Sequence, residues 1–277
     1  MSIAVFAIVL FAAAVHASWN AIVKASPDKL LTTVLVTGSA ALIAMVVLPW
    51  LHPPARASWP FILGSMLFQV TYFVLVARTY HLADMSATYP LMRGTAPLLV
   101  TIVSVLGLDA NLSTRMCIGV AVICSGILSM ALGVRRGNRR GTVLALLNAV
   151  VIAGYTLIDG IGVRLSGAPA AYAMWIFLVT GVPLAAWAIR ARSASIVGYI
   201  RNNWHFGLVG GIGNVASYGL ALWAMTIAPI AVVAALRETS ILFGTVISGL
   251  LLKERIGLGR LLAACIIALG AAVLRLG

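Results

Sequence analysis

Four ionisable residues stand where an apolar helix would carry none: Arg93, Asp159, Arg237 and Glu238 each lie inside a long hydrophobic run. A charge at membrane depth is costly unless it faces a cavity or a partner, so each is a candidate for function. A guanidinium presents a planar fork of N–H donors that fits a carboxylate or a phosphate. Arg93 and Arg237 are therefore candidate binding residues for an anionic or zwitterionic metabolite. Glu238 and Asp159 are candidate proton-coupling groups, since a carboxylate enclosed in an apolar cavity can bind a proton reversibly. Charge pairs that merely hold a helix bundle together are the alternative for both carboxylates, and at this level both readings stay open.

Helical spacing widens the constellation. Tyr89, Arg93 and Pro97 follow at i, i+4 and i+8 and share one helix face, and Arg237, Ile241 and Gly244 share a corresponding one. His16, Trp19, Asn20 and Lys24 recur at i, i+3, i+4 and i+8, a polar stripe in an otherwise apolar helix. Trp19, Tyr89 and Tyr155 are expected to give a substrate apolar contact and Asn20 a polar one, while His16 joins the possible proton-coupling groups. Gln69 with Tyr72, Asn148 with Tyr155, and Asn214 with Ser217 and Tyr218 form shorter stripes that suit interhelical hydrogen bonds as well as a ligand. Pro90, Pro97 and Pro229 interrupt backbone hydrogen bonding and give these helices places to bend.

Other chemistry is poorly supported. Cys117, Cys124 and Cys265 are odd in number and lack a C-x-x-C spacing, and His16, His52, His81 and His205 are scattered, so neither a disulfide framework nor a metal is expected. The segment Gly210-Gly211-Ile212-Gly213-Asn214 follows no strand and has no Lys-Ser/Thr partner, which argues against a nucleotide loop. No nucleophile set is evident, and no cofactor or enzymatic activity is expected. A net charge of +13 would suit nucleic acid in a soluble protein, but no Lys/Arg stripe interleaves with aromatics, so no nucleic-acid partner is expected.

The elements that must position these residues are membrane spans. Of 277 residues, 62% are hydrophobic and 9% charged, against about 25% charged in an average soluble domain. Roughly 20 apolar residues cross a bilayer as a helix. Ten such runs are present: Ile3 to Val23, Leu30 to Trp50, Trp59 to Tyr80, Met85 to Leu108, Met116 to Val134, Gly141 to Val163, Ala171 to Ile189, His205 to Thr226, Ile227 to Leu252 and Leu258 to Leu274. The fold class expected is thus an all-α membrane protein of ten transmembrane helices. The first run lacks a basic lead-in and is long enough to span, so it is expected to stay as a helix and not to be cleaved as a signal peptide.

An offset of 144 residues superposes the fourth run on the ninth and the fifth on the tenth. Arg93 falls on Arg237, Thr95 on Thr239, Thr101 on Thr245, Ser104 on Ser248, Ile123 on Ile267 and Gly126 on Gly270. Two five-helix repeats, residues 1–137 and 138–277, are expected. Five being odd, the second must enter the membrane from the opposite side, the inverted arrangement of many secondary transporters, with the site near the midplane between halves.

Loop cations divide unevenly between the two faces. One face takes Lys24, Lys29, Arg135, Arg136, Arg139, Arg140, Arg190, Arg192, Arg201, Lys253, Arg255 and Arg260; the other takes Arg56, Arg115, Arg164 and Arg275. The positive-inside rule puts the first set in the cytoplasm and both termini outside.

Ten spans in two halves, together with Tyr89-Pro90-Leu91-Met92-Arg93-Gly94-Thr95-Ala96-Pro97 and Leu236-Arg237-Glu238-Thr239-Ser240, resemble the EamA-like family of the drug/metabolite transporter superfamily. Leu252-Lys253-Glu254-Arg255-Ile256 is similar to the family's repeat-end signature, with Glu254 a structural residue. The first copy, Leu108-Asp109-Ala110-Asn111-Leu112, departs from it by one position. The resemblance implies a ten-helix fold around a central cavity, alternating access and cytoplasmic termini, the last in conflict with the loop charges. The expected function is secondary active transport of a small metabolite, such as an amino acid or organic acid, across the cell (inner) membrane by a multi-pass chain. A monomer in the lipid bilayer and a coupling proton or ion fit that expectation. A broad exporter of cationic or apolar compounds is the first alternative, and a membrane-embedded scaffold or enzyme the second.

Overall fold

Continuous apolar runs without alternation leave the backbone one way to satisfy its hydrogen bonds in lipid, the α-helix. The computed structural model describes residues 1–108, 112–131, 139–191, 193–250 and 257–276, and among these it contains helices and no strand. The helices are α1 (Ile3–Ala25), α2 (Lys29–Val47), α3 (Trp59–Leu82), α4 (Met85–Gly107), α5 (Thr114–Ser129), α6 (Arg139–Ser166), α7 (Pro169–Ala191), α8 (Ser193–Ile227), α9 (Ile230–Arg237), α10 (Ser240–Leu250) and α11 (Leu258–Leu276). Side chains start several of them. The Ser2 hydroxyl accepts from the Val5 amide, the Asp28 carboxylate from that of Leu31, and the Ser113 hydroxyl from that of Met116, each filling one orphan donor of a first turn.

Two spans depart from the sequence reading. The eighth begins at Ser193, not near His205, because its first turns are polar but still helical. There the Tyr199 hydroxyl bonds Thr32 Oγ1 at 2.6 Å and the Asp28 carbonyl at 3.3 Å, tying the start of α8 to the start of α2. Its far end is closed by Arg164 of α6, whose guanidinium donates to the carbonyls of Met225 at 2.7 Å and Ala228 at 2.8 Å just before Pro229.

The ninth span, expected as one helix, is broken into α9 and α10. Glu238 and Thr239 sit between them in a tighter turn, with the amides of Glu238, Thr239 and Ile241 reaching back three residues. The Thr239 hydroxyl takes up the Leu236 carbonyl at 2.6 Å. Ile241 and Gly244, expected to share a helix face with Arg237, lie beyond this break on α10, so Arg237 belongs to a different helix from theirs. Nor is a proline responsible: Pro229 only leads into α9, and α4 runs unbroken through Pro90 and Pro97.

Helix packing follows a paired scheme. α5 packs on α11 and α2 on α7; α3 meets α6 as α8 meets α1, and α4 meets α6 as α9 and α10 meet α1. At the α5–α11 crossing the contact is reciprocal. A Cβ on Gly126 would come within 2.9 Å of Ile267, and one on Gly270 within 2.7 Å of Ile123. Both isoleucines are fully buried there. The glycines of α8 act likewise toward its neighbours: a Cβ on Gly211 would lie 3.1 Å from the Ala40 amide nitrogen, so the Gly-rich segment is a close-packing surface against α2. Every residue of Ile230–Leu236 is buried, which makes α9 the centre of the bundle. Large side chains such as Leu106, Val46 and Leu250 are exposed, as a lipid-facing surface requires.

Nine helical segments are long and apolar enough to cross a membrane, and Thr114–Ser129 is a shorter apolar helix, among the described residues. For these purposes α9 and α10 count as one crossing, Ile230–Leu250.

Candidate functional site

The break in the ninth span and the middle of α4 meet at the centre. Arg93, Ala96, Pro97 and Val100 of α4, Ile152, Tyr155 and Thr156 of α6, and Ala234, Arg237 and Glu238 at the end of α9 line a small cavity of about 10 Å³. That is room for about one water.

The two arginines that the sequence makes equivalent are held differently. Arg93 is buried, and its Nε donates to Glu238 Oε2 at 2.8 Å. One of the two arginines expected to receive a ligand is thus already engaged by a protein carboxylate. Arg237 is half-buried, and among the described residues its guanidinium has no hydrogen-bond acceptor or ion-pair partner. It lies instead over the ring of Tyr218, 4.9 Å from the centroid. Two guanidiniums face one carboxylate, so the cavity wall carries an excess positive charge.

Asp159 is fully buried but lies behind the wall. It accepts hydrogen bonds from the hydroxyls of Tyr172, at 3.2 Å, and Tyr218, with the Ser65 hydroxyl alongside. Tyr155 faces both arginines and sits edge-on to Tyr72, ring centroids 6.2 Å apart. Tyr89, one turn before Arg93, is close enough to feel the charges of Arg93 and Glu238.

From the opposite side, His16 of α1 is within electrostatic reach of both arginines. Trp19 stacks edge-on against it at 5.2 Å, and its indole Nε1 is buried with no partner among the described residues. Asn20 turns its amide to the His16 carbonyl at 2.8 Å, so its donor serves its own helix.

The structure therefore gathers Arg93, Arg237, Tyr155 and Glu238 on one wall, sets Tyr89 and His16 beside it, and leaves Trp19, Asn20 and Asp159 off it. Tyr218, Tyr172 and Ser65 were missed as a group. They are far apart in sequence, and only the shared Asp159 joins them. No group of three or more His, Cys, Asp or Glu side chains able to hold a metal occurs among the described residues.

The family model of the EamA-like transporter family matches residues 139–276, through α6 to α11. The chain belongs to the EamA-like transporter family. It is accordingly a multi-pass membrane transporter of the drug/metabolite transporter type. The EamA-like repeat-end signature around Glu254, and its counterpart at Asp109-Ala110-Asn111, lie outside the described residues. A solved structure titled "Crystal structure of protein" is similar over 98% of this chain and 95% of its own, with a TM-score of 0.74 at 18% identity. At that identity the likeness concerns the fold. No curated protein matches the chain.

Proposed function

We propose that this EamA-like chain is a secondary active transporter of a small anionic or zwitterionic metabolite, such as an amino acid or organic acid, in the cell (inner) membrane. The observation that carries the reading is Arg237, a guanidinium at the central cavity without an acceptor among the described residues. A substrate carboxylate supplies that acceptor, with Tyr155 and Tyr89 beside it. A cavity with room for about one water is too small for a metabolite, so loading requires α4 to part from the α9–α10 break, as alternating access demands.

Two inverted five-helix repeats, 1–137 and 138–277, provide the two gates. The reciprocal Ile123–Gly270 and Ile267–Gly126 contacts support that arrangement, because residues related by a two-fold axis contact each other in exchanged pairs. Export of cationic compounds would need an available carboxylate. Glu238 engaged by Arg93, and Asp159 engaged by hydroxyls, count against it.

The test is a thermal-shift screen of purified protein against amino acids, organic acids, phosphorylated metabolites and organic cations, since a ligand that binds only the folded state raises stability with occupancy. A carboxylate-bearing compound is expected to raise the melting temperature. Stabilisation confined to organic cations would overturn the proposal.

Orientation follows from the loop charges. The crowded face is cytoplasmic in this reading, and on the sparse face Arg164 and Arg115 are spent on backbone carbonyls, at 2.7 Å and 3.4 Å. Alkaline phosphatase fused after Leu276 should be active in a bacterial host, and a green fluorescent protein fusion dark. The opposite pattern would place the termini in the cytoplasm, as the family resemblance implied.

A further inference from the structure

Tyr218 carries no role in the proposed transport, yet its ring lies against the Arg237 guanidinium, which has no hydrogen-bond acceptor or ion-pair partner among the described residues. The mode of contact matters. Glu238 meets Arg93 edge-on and uses its Nε–H. The Arg237 Cζ lies over the Tyr218 ring, 4.9 Å from its centroid, where the negative face of the ring attracts the cation. A ring face is not a carboxylate, and among the described residues no hydrogen-bond acceptor or ion-pair partner takes up the Arg237 N–H donors, which form a fork suited to a carboxylate.

The seat is itself fixed. The Tyr218 hydroxyl donates to Asp159, which also receives the Tyr172 hydroxyl at 3.2 Å. Phe177 packs edge-on against the Tyr218 ring, centroids 6.1 Å apart. A phenol donating to a carboxylate is polarised toward its ring, which strengthens the attraction for a cation on the ring face. Asp159 thus makes no close ion pair with Arg237, and reaches it both across the Tyr218 ring and through its own charge.

We infer that Tyr218, anchored by Asp159 and Tyr172, is a positioning residue that holds Arg237 with its N–H edges open to a substrate carboxylate. This rests on the reading of Arg237 as the carboxylate anchor. It gives Asp159 a structural part in binding, and it makes specificity for an anionic group depend on an aromatic ring at position 218.

Sodium benzoate, a minimal carboxylate, is the probe, titrated into the purified full-length chain by thermal shift with sodium chloride at matched ionic strength as the blank. The unaltered protein and Tyr218→Phe, which keeps the ring, should bind benzoate within about threefold of each other. Tyr218→Leu should weaken binding by about tenfold or more, the scale of a desolvated cation–π contact. Tyr218→Met, of similar size and without a π face, replaces it if the leucine variant does not fold. Arg237→Gln should lose the benzoate effect altogether.

If Arg237→Gln loses benzoate while Tyr218→Leu and Tyr218→Met bind as the unaltered protein does, the positioning role is wrong and the anchor stands. If benzoate does not stabilise the unaltered protein, or Arg237→Gln still binds it, the anchor reading fails and this inference with it.

Discussion

Arg237→Gln should abolish transport and leave the protein folded. The two halves of that expectation come from the same geometry. Arg237 lines the central cavity, is only half-buried, and among the described residues pairs with no carboxylate. Replacing it breaks no hydrogen bond or close ion pair among the described residues, and the two buried carboxylates that feel its charge keep their own partners, Asp159 the hydroxyls of Tyr172 and Tyr218 and Glu238 the Arg93 guanidinium. The folded state even sheds the cost of holding a charge at membrane depth. Substrate binding, by contrast, loses its charged partner, a change worth roughly 2–5 kcal/mol for a desolvated hydrogen-bonded pair. Uptake into proteoliposomes of whichever carboxylate compound stabilises the protein should fall by roughly two orders of magnitude or more, since about 1.4 kcal/mol is a factor of ten. The melting temperature without ligand should stay close to that of the unaltered protein. Unchanged uptake sinks the site, whereas a variant that fails to fold shows that Arg237 has a structural partner.

How much of this was legible in the sequence depends on the range of the interaction concerned. Hydropathy is local, and it placed α4 at Met85 to within the boundary residue observed. It failed at α8, whose polar first turns are helical because Tyr199 reaches Asp28 and Thr32 on another helix. It failed again at the ninth span, where no proline marks the break and the turn instead depends on Glu238 and Thr239 bonding back along the chain. The offset of 144 residues found Arg93 and Arg237 as a pair. It could not show that one faces a carboxylate and the other an aromatic ring, since those partners lie 145 residues away in one case and are a tyrosine on α8 in the other. Asp159 illustrates the same limit. Its type and depth mark it as unusual, but its three hydroxyl neighbours come from α3, α7 and α8 and converge only in the fold.

The asymmetry between the arginines leads to the second large effect. By the same offset, Glu238 corresponds to Gly94, where a Cβ would come within 2.8 Å of Leu128, so the first half has no room for a carboxylate at that position. The one counter-ion is supplied by the second half and crosses to Arg93 of the first, tying α4 to the α9–α10 break at 2.8 Å. Removing one member of a buried pair leaves the other uncompensated, at a cost of about 3–5 kcal/mol. Arg93→Gln strands the carboxylate of Glu238 beside Arg237 alone, and Glu238→Gln leaves two guanidiniums facing one cavity, so each single variant should melt well below the unaltered protein. The double variant Arg93→Gln with Glu238→Gln removes both charges and should regain most of the loss, because a buried ion pair replaced as a unit is often nearly neutral. Thermal melts of the four proteins form a double-mutant cycle, and strict additivity of the two single losses would show that the pair is not coupled. The double variant also bears on transport. If the ion pair is the tie that must part for the cavity to admit a metabolite, a folded protein without it should exchange a bound carboxylate faster than the unaltered protein, while Arg237 still supplies the anchor.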